Sequence, residues 1–282
     1  MKKFFMAVIA LMMTISASAQ FYIYFGDGNV IKVDSISMVA PESTAGIGVF
    51  SVSADKQVTF SPGNLQYHRM NKEWRFAENQ TDCIGEDNIY DGWLDLFGWS
   101  TTVTNFGVST SKDGADYYGS FVDWGTNKIG TDARRTWRTL TEDEWLYLLD
   151  SRPSASTLQG IAQVNGVNGL ILLPDDWTCP TGITFTSGLS DGSVEAYGQY
   201  QTFSADQWSK LESAGAVFLP AAGYRHRYDS NVSGVQDRGY YWSATEDHGD
   251  LAICFFFHSN EVYMSNDDLN NGLSVRLVKD LQ

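Results

Sequence analysis

The C-terminal stretch from Gly239 to Val278 constrains the fold more than any other part of the sequence. It opens on the aromatic run Gly239-Tyr-Tyr-Trp-Ser-Ala-Thr245 and ends on the alternating run Gly272-Leu-Ser-Val-Arg-Leu-Val278. Alternation of apolar and polar residues is typical of half-buried β-strands. Between Arg238 and Arg276 there is no Lys or Arg, and Asp, Asn, His, Ser and Tyr are frequent. The pattern predicts strands that hold a polar, acidic surface, which favours a binding face over a catalytic cleft.

Residues 1–19 have the pattern of a secretory signal peptide. Lys2-Lys3 is a short basic region, and Phe4 through Ile15 is an apolar run too short to span a bilayer. Ala17-Ser-Ala19 is a small-residue cleavage site that leaves Gln20 as the first mature residue. A retained membrane anchor is the alternative, whereas a lipoprotein anchor is not supported because no Cys follows the small residues. We expect an exported protein, periplasmic, cell-surface or extracellular, without a membrane span in its mature form.

The charge balance narrows the classes of partner. The chain carries 19 basic and 34 acidic residues, a formal net charge of −15 at pH 7. Nucleic acids and anionic membrane surfaces bind clustered Lys and Arg. Neither is therefore an expected partner.

Short β-prone segments and two capped helices predict an α+β fold with a largely antiparallel sheet and long loops. Residues 20–45 form a short β unit and linker, with strands Phe21–Phe25 and Val30–Val33 around the hairpin turn Gly26–Asn29. Residues 46–282 form the main domain. The capping boxes Thr141–Glu144 and Ser204–Gln207 begin the helices, and Arg152-Pro153 and Gly215 end them.

The strands of the main domain are predicted from short apolar or alternating segments bounded by turn residues. Residues 77–135 show no clear period, and we expect Trp93, Trp99 and Trp124 to order them as aromatic anchors. The predicted strands are 49–52, 58–60, 65–67, 74–76, 169–173, 216–219, 240–242, 252–257 and 273–278.

The order of five motifs resembles that of a known family. The motifs are Trp137-Arg-Thr-Leu-Thr-Glu-Asp-Glu-Trp145, Leu173-Pro-Asp-Asp-Trp177, Gly215-Ala-Val-Phe-Leu-Pro-Ala-Ala-Gly-Tyr-Arg225, Gly239–Thr245 and Ser274–Val278. Together they resemble the major paralogous domain of secreted Fibrobacter and Bacteroides proteins, which is similar to the C-type lectin fold of the formylglycine-generating enzyme type. The resemblance covers roughly residues 49–279. It implies a C-type lectin-like domain with a small antiparallel sheet, two short helices and long ordered loops.

The chain also resembles ligand-binding proteins of this fold that are diversified by retroelements, because Asn- and Asp-rich positions lie just before its final predicted strand. That resemblance implies a display surface over residues 246–271. An ordinary polar loop and strand surface is the alternative. The residues with the composition of varied positions are Asp247, His248, Asp250, His258, Asn260, Tyr263, Ser265, Asn266, Asp267, Asp268, Asn270 and Asn271.

No motif of an enzyme is present. Formylglycine generation uses a reactive cysteine pair near the end of the fold, where this chain has only Cys254, within the apolar segment Ala252–Phe257. An apolar setting makes a thiol unreactive, and Cys254 is expected to be a small buried side chain. HExxH, GxSxG, a phosphate loop and GxGxxG at a strand–helix junction are absent. We therefore expect no catalysis, no catalytic cysteine and no essential disulfide.

Calcium is the one metal that the composition suggests. Asn266-Asp-Asp-Leu-Asn-Asn271 could supply oxygen ligands, but it lacks the spacing of a known calcium loop. The sugar-binding Glu-Pro-Asn, Gln-Pro-Asp and Trp-Asn-Asp signatures of calcium-dependent lectins are also absent. We expect neither a metal nor a cofactor.

The preferred hypothesis is an exported, non-enzymatic recognition module that binds a glycan or a protein. Trp242 and Tyr263 would be its aromatic platforms, although Trp242 also belongs to a set expected to be buried. That set is Tyr240, Trp242, Ile253, Phe255, Val275 and Leu277. The alternative is a structural subunit of a cell-surface assembly, such as a pilus-tip or envelope-associated component. In that case residues 20–40 would dock on another subunit through an unpaired strand edge.

Overall fold

The computed structural model describes residues 46–85, 89–102, 105–189 and 197–281, together with the backbone of residues 21–24 and 30–33. The chain divides into two compact units, Met1–Thr44 and Ala45–Gln282. The signal peptide predicted over residues 1–19, the hairpin turn of the β unit and most of its linker lie outside the described residues.

The described part of the first unit is a two-stranded antiparallel sheet. Strand β1 (Phe21–Tyr24) pairs with β2 (Val30–Val33), with Phe21 opposite Val33 and Tyr24 opposite Val30. The two predicted strands are confirmed. A hairpin of this size has little stability of its own.

The second unit combines short helices with several small sheets, so the α+β class is confirmed. Its longer helices are α1 (Glu142–Leu146), which continues as a π-helical turn over Tyr147–Ser151, α2 (Tyr197–Tyr200) and α3 (Ala205–Ser213), and 3₁₀ turns cover Gly114–Tyr117, Trp124–Thr126 and Ala155–Thr157. Its strands are β3 (Phe50–Ser51), β4 (Gln57–Phe60), β5 (Leu65–His68), β6 (Glu73–Phe76), β7 (Trp93–Leu94), β8 (Gln159–Val164), β9 (Val167–Leu172), β10 (Thr202–Phe203), β11 (Val217–Pro220), β12 (Ala222–Arg225), β13 (Val232–Val235), β14 (Gly239–Glu246), β15 (Leu251–His258), β16 (Glu261–Asp268) and β17 (Val278–Asp280).

Both predicted helices begin at the capping boxes. The Thr141 hydroxyl accepts from the Glu144 backbone N–H at 3.3 Å, and the Glu144 carboxylate accepts from the Thr141 N–H at 3.0 Å. Ser204 and Gln207 exchange the equivalent pair of bonds at 3.3 and 2.9 Å. These contacts satisfy backbone donors that a helix start otherwise leaves unpaired. Tertiary packing supplies most of the remaining stability, because helices this short are marginal in water.

Trp99 and Trp124 anchor the long irregular region, as predicted, whereas the third predicted anchor, Trp93, is partly exposed. Trp99 and Trp124 are fully buried. The Trp99 indole donates to the Ser243 carbonyl at 3.0 Å, and the Trp124 indole donates to the Phe106 carbonyl at 2.8 Å. Each indole therefore buries a large apolar surface and also satisfies a distant backbone group.

A five-stranded sheet with the order β13-β12-β14-β15-β16 forms the C-terminal part of the unit. Strands β14, β15 and β16 form an antiparallel meander, and β12 joins β14 in parallel at the Gly223–Gly239 pair. One face packs Phe255 and Phe257 into the hydrophobic core, with Val262 and Met264 against it. The opposite face is buried only at one end, so part of this sheet stays open.

Two strand predictions need correction. Leu273–Val278 was predicted as one strand, but only Val278 belongs to a strand, β17. The remainder is buried, and its backbone bonds alternately to separate segments, for example Leu273 to Phe97 and Ser274 to Tyr240. Conversely, β7, β8, β10, β12, β13 and β16 were not predicted. Residues 273–277 bond to several different segments instead of one neighbouring strand, and a local sequence pattern does not reveal this.

A glycine opens β14 because an aromatic ring occupies the space of its side chain. A Cβ at Gly239 would overlap the ring of Phe257, the residue opposite it in β15. Gly239→Ala is expected to lower the free energy of unfolding by about 1–3 kcal/mol, the usual cost of overpacking a core. Urea denaturation measures the change.

The matched control is Gly114→Ala, where a Cβ meets no atom within 4 Å. Its expected effect is below about 1 kcal/mol. Equal losses in the two variants would contradict the role of the Phe257 ring.

Candidate functional site

A groove of about 510 Å³ lies on the open face of the five-stranded sheet, next to β16. Its floor is an aromatic row of Tyr240, Phe256 and Tyr263, which occupy facing positions on β14, β15 and β16. Neighbouring ring centroids are 4.9 Å apart in both pairs. Tyr263 is 47% exposed at the end of the row. The rings are tilted against each other, and together they offer a fixed aromatic surface with phenol groups at its margin.

One rim of the groove is fixed by His258. Its Nε2 lies 2.7 Å from Asp237 Oδ1, and its Nδ1 lies 3.0 Å from Asn260 Oδ1. Asp237 also accepts from Nε of Arg238, another groove residue, at 3.1 Å. These contacts connect the turn after β15 with the start of β14 and hold the imidazole in place.

The Ser259 hydroxyl lies 3.3 Å from Nδ1 of His258, and the His258 Nε2 contacts Asp237. The three side chains therefore form a chain of contacts like that of a serine, histidine and aspartate triad. Ser259 is only 1% exposed, however. A substrate in the groove cannot reach its oxygen, and nucleophilic attack requires such access. The contact orients the histidine instead.

One phenol and one carboxyl of the groove have raised pKa values. Burial raises the pKa of the Tyr240 phenol, and the hydrogen bond and charge of Arg238 oppose that shift. Burial also raises the pKa of Asp267, against hydrogen bonds from the Asn271 side chain and the Asp268 N–H. At neutral pH the phenol is a neutral hydroxyl that can donate and accept, so the groove offers both kinds of hydrogen-bonding partner.

The groove brings together part of the predicted display surface. The groove is lined by residues from the end of β15, the following turn and β16. Strand pairing brings these residues to one surface. The predicted residues that line it are His258, Asn260, Tyr263, Ser265, Asn266 and Asp267.

Three predicted contact residues are buried, and their assignment to the ligand surface is wrong. Trp242 is 1% exposed, and its indole donates to the Phe97 carbonyl at 2.6 Å. Asn270 and Asn271 are 5% and 6% exposed. Asn270 donates to the Lys112 carbonyl at 3.1 Å, and the Asn271 side chain accepts from the backbone of Arg227 at 2.7 Å. The Trp242 indole, the Asn270 amide nitrogen and both polar groups of the Asn271 side chain bond internal partners, and none of the three residues lines the groove.

The other predicted residues lie outside the groove. Asp247 Oδ1 contacts His248 Nδ1 at 2.8 Å, and Asp247 Oδ2 accepts from the Asn266 amide at 2.7 Å. The His248 hydrogen bond lowers the pKa of Asp247. Asp250 and the buried Asn270 line a separate concavity of about 230 Å³. Asp268 pairs with Arg227.

Four groove residues were not in the predicted set: Arg238, Tyr240, Phe256 and Glu261. Tyr240 was expected to be buried, but it is only partly buried, as is Ile253, whereas Phe255, Val275 and Leu277 are buried as predicted. The alternation of Val262 and Met264 with polar residues was the signal that could have identified β16. Its pairing with β15 would then have placed Phe256 beside Tyr263.

The cysteines are unpaired. Cys83, Cys179 and Cys254 are all free thiols. Burial raises the pKa of Cys83 to about 12 and raises that of Cys254 well above its usual value. Cys254 is fully buried, as predicted. At neutral pH neither of these two thiols ionises appreciably, and the thiolate is the reactive form.

Neither a clustered metal site nor a membrane-spanning helix occurs in the part of the chain that the structure describes. No three His, Cys, Asp or Glu residues there are grouped so that they could hold a metal ion. No helix within the same residues is long and apolar enough to cross a membrane.

Comparison with known proteins gives one match, to the C-terminal part of the chain. Residues 193–278 are similar to a family described as a domain of unknown function, DUF8237. The matched segment includes β12 to β16 and therefore every residue that lines the groove. No curated protein and no solved structure matches the chain significantly.

Proposed function

We propose that the chain is an exported, non-enzymatic recognition module whose C-type lectin-like domain binds a glycan through the groove on the five-stranded sheet. The observation that supports this function best is the row of Tyr240, Phe256 and Tyr263 with polar side chains beside it. A sugar ring has apolar faces that pack on aromatic rings and hydroxyl groups that exchange hydrogen bonds. The groove offers partners for both.

The charges at the groove support an uncharged or weakly charged glycan. Arg238 lies at one side, and Glu261 and Asp267 lie on β16. A strongly anionic ligand would meet these carboxylates in a chain of net charge −15. The ligand-contacting set is smaller than the predicted set of residues, because it leaves out Trp242, Asn270 and Asn271, which are buried.

A protein ligand is the second candidate, and the position of β16 favours it. This eight-residue strand is the edge of its sheet, and β15 is its only partner among the strands described. An extended peptide can add to such an edge through main-chain hydrogen bonds. The edge would then supply the affinity, and the aromatic row would select side chains.

Tyr263→Ala tests the groove. Removing the exposed platform is expected to weaken glycan binding about tenfold, the upper part of what one aromatic contact contributes. A glycan array identifies a ligand, and isothermal titration calorimetry then compares the variant with the wild type. A pull-down of surface proteins runs in parallel for the second candidate.

The control is Tyr228→Ala, because Tyr228 is 60% exposed and lies outside the groove. It should bind as the wild type does. If Tyr263→Ala retains every glycan and every protein with unchanged affinity, the groove is not the binding site.

A further inference from the structure

A second cavity, of about 770 Å³, lies away from the groove and shares none of its residues. We call it the Trp93 cavity. Its volume is within the range of ordinary small-molecule sites. The residues on which its chemistry depends are Gln66, Arg75, Glu78, Tyr90, Asp91 and Trp93.

The aromatic wall of the Trp93 cavity is held rigidly. The Arg75 guanidinium lies over the Trp93 ring at 3.8 Å, and the His68 ring meets it edge-on at 5.0 Å. Tyr90 and Trp93 exchange backbone hydrogen bonds of 2.8 and 2.6 Å. Trp93 is partly exposed and Tyr90 is 67% exposed. A ligand can therefore contact both rings without first ordering the indole, which removes part of the entropic cost of binding.

Unpaired hydrogen-bond donors lie beside this wall. Gln66 is 5% exposed, and its side-chain oxygen accepts from Arg75 Nε at 2.9 Å. The Gln66 amide nitrogen and the two terminal nitrogens of Arg75 have no hydrogen-bond acceptor among the described residues. None of these nitrogens is among the buried side-chain atoms without a partner, so solvent reaches them. A ligand oxygen in the cavity can take the place of water as their acceptor.

Carboxylate acceptors also line the cavity. The carboxylates of Glu78, Asp82 and Asp91 face a single cation, Arg75, so the lining is net negative. An anionic ligand is disfavoured by these carboxylates, and a cationic ligand cannot accept from Gln66 and Arg75. Hydroxyl groups both accept and donate hydrogen bonds. A neutral polyhydroxylated ligand can therefore accept from Gln66 and Arg75 and also donate to the carboxylates.

We propose that the Trp93 cavity is a second binding site, specific for a neutral saccharide. The sugar packs on Trp93 and Tyr90, accepts hydrogen bonds from Gln66 and Arg75, and donates hydroxyl protons to the surrounding carboxylates. This site is independent of the groove on the five-stranded sheet. Two sites on one chain would strengthen retention on a polymeric glycan, because the second contact becomes intramolecular.

The experiment uses the full chain on an array that carries neutral oligosaccharides and oligosaccharides with uronate or sialate groups. Wild type, Trp93→Ala, Tyr90→Ala and Tyr263→Ala are compared, followed by titration calorimetry with a retained neutral sugar. The Trp93 and Tyr90 variants are expected to bind a subset of neutral sugars about tenfold more weakly. Tyr263→Ala should leave the same subset unchanged.

The outcomes separate the two sites. If no neutral sugar depends on Trp93 or Tyr90, or if the dependent sugars are acidic, the second site is overturned. Loss through Tyr263→Ala alone supports the groove only, and loss through the Trp93 and Tyr90 variants alone supports the Trp93 cavity only. Near-ultraviolet circular dichroism checks folding, and the exposed Tyr90 decides the result if Trp93→Ala unfolds.

Discussion

Gln80→Leu is expected to lower the free energy of unfolding by about 3–5 kcal/mol, the usual cost of breaking a buried charged contact. Gln80 is 5% exposed, and its side-chain oxygen accepts from Arg276 at 2.5 Å and from the Phe218 N–H at 2.9 Å. Arg276 is 1% exposed, and its other bond, to Asn64, is long at 3.4 Å. Burial lowers the pKa of Arg276 to about 10, so the guanidinium is still charged at neutral pH.

Leucine has nearly the volume of glutamine, so the loss reports the missing hydrogen bonds. In the variant the Arg276 cation and the Phe218 N–H would stay buried without the Gln80 oxygen that accepts from them. The Ala216 carbonyl would also lose its donor, the Gln80 amide, which lies 3.3 Å away in the wild type. Urea denaturation followed by tryptophan fluorescence measures the change. The matched control is Gln199→Leu at an exposed position of α2, with an expected effect within about 0.5 kcal/mol. Equal midpoints for the two variants would contradict the role of Gln80.

Asp95 is expected to make the fold less stable as the pH rises through the acidic range. This carboxyl is 1% exposed. Burial raises its pKa from 3.8 to about 7, against hydrogen bonds from the backbone N–H groups of Ile84 and Asp95. The folded state therefore binds the proton more tightly than the unfolded state. The stabilisation is complete below about pH 3.8 and is lost as the pH rises to about 7.

The size of this effect follows from the shift. A difference of about three pKa units corresponds to about 4 kcal/mol at 1.36 kcal/mol per unit. Asp95→Asn keeps an oxygen that can accept from the Ile84 N–H, now 2.9 Å from the carboxylate, but it cannot ionise. The variant should therefore exceed the wild type in stability by up to about 4 kcal/mol at pH 8 and match it near pH 4.

Urea denaturation across that pH range tests this, and the difference between variant and wild type removes the titration of all other groups. Asp176→Asn, the same substitution at an exposed position, is the control. A difference for Asp95→Asn that stays constant across the pH range would show that folding does not shift the pKa of the Asp95 carboxyl.

Local signals were sufficient for α1 and α3 and for most of the strands, whereas α2 was not predicted. The hydroxyl of Thr141 and the carboxylate of Glu144 lie one turn apart whatever the rest of the chain does, so a capping box is visible in four residues. Strand β15 was predicted because Ala252–Phe257 is apolar on both faces, which a buried central strand requires. Trp99 and Trp124 identified an ordered region because an indole is seldom left in solvent.

The residue pattern after Gly239 is enough to predict buried strands combined with a polar surface. The set of polar residues that share this surface depends on tertiary packing. Strand register places Phe256 between Tyr240 and Tyr263, and turns Val262 and Met264 towards the core. Burial excludes Trp242, Asn270 and Asn271 from the surface, because their hydrogen bonds are made to backbone groups distant in the sequence. Composition records which side chains a segment contains, whereas a binding site depends on pairings between segments, and these are set by the packing of the whole domain.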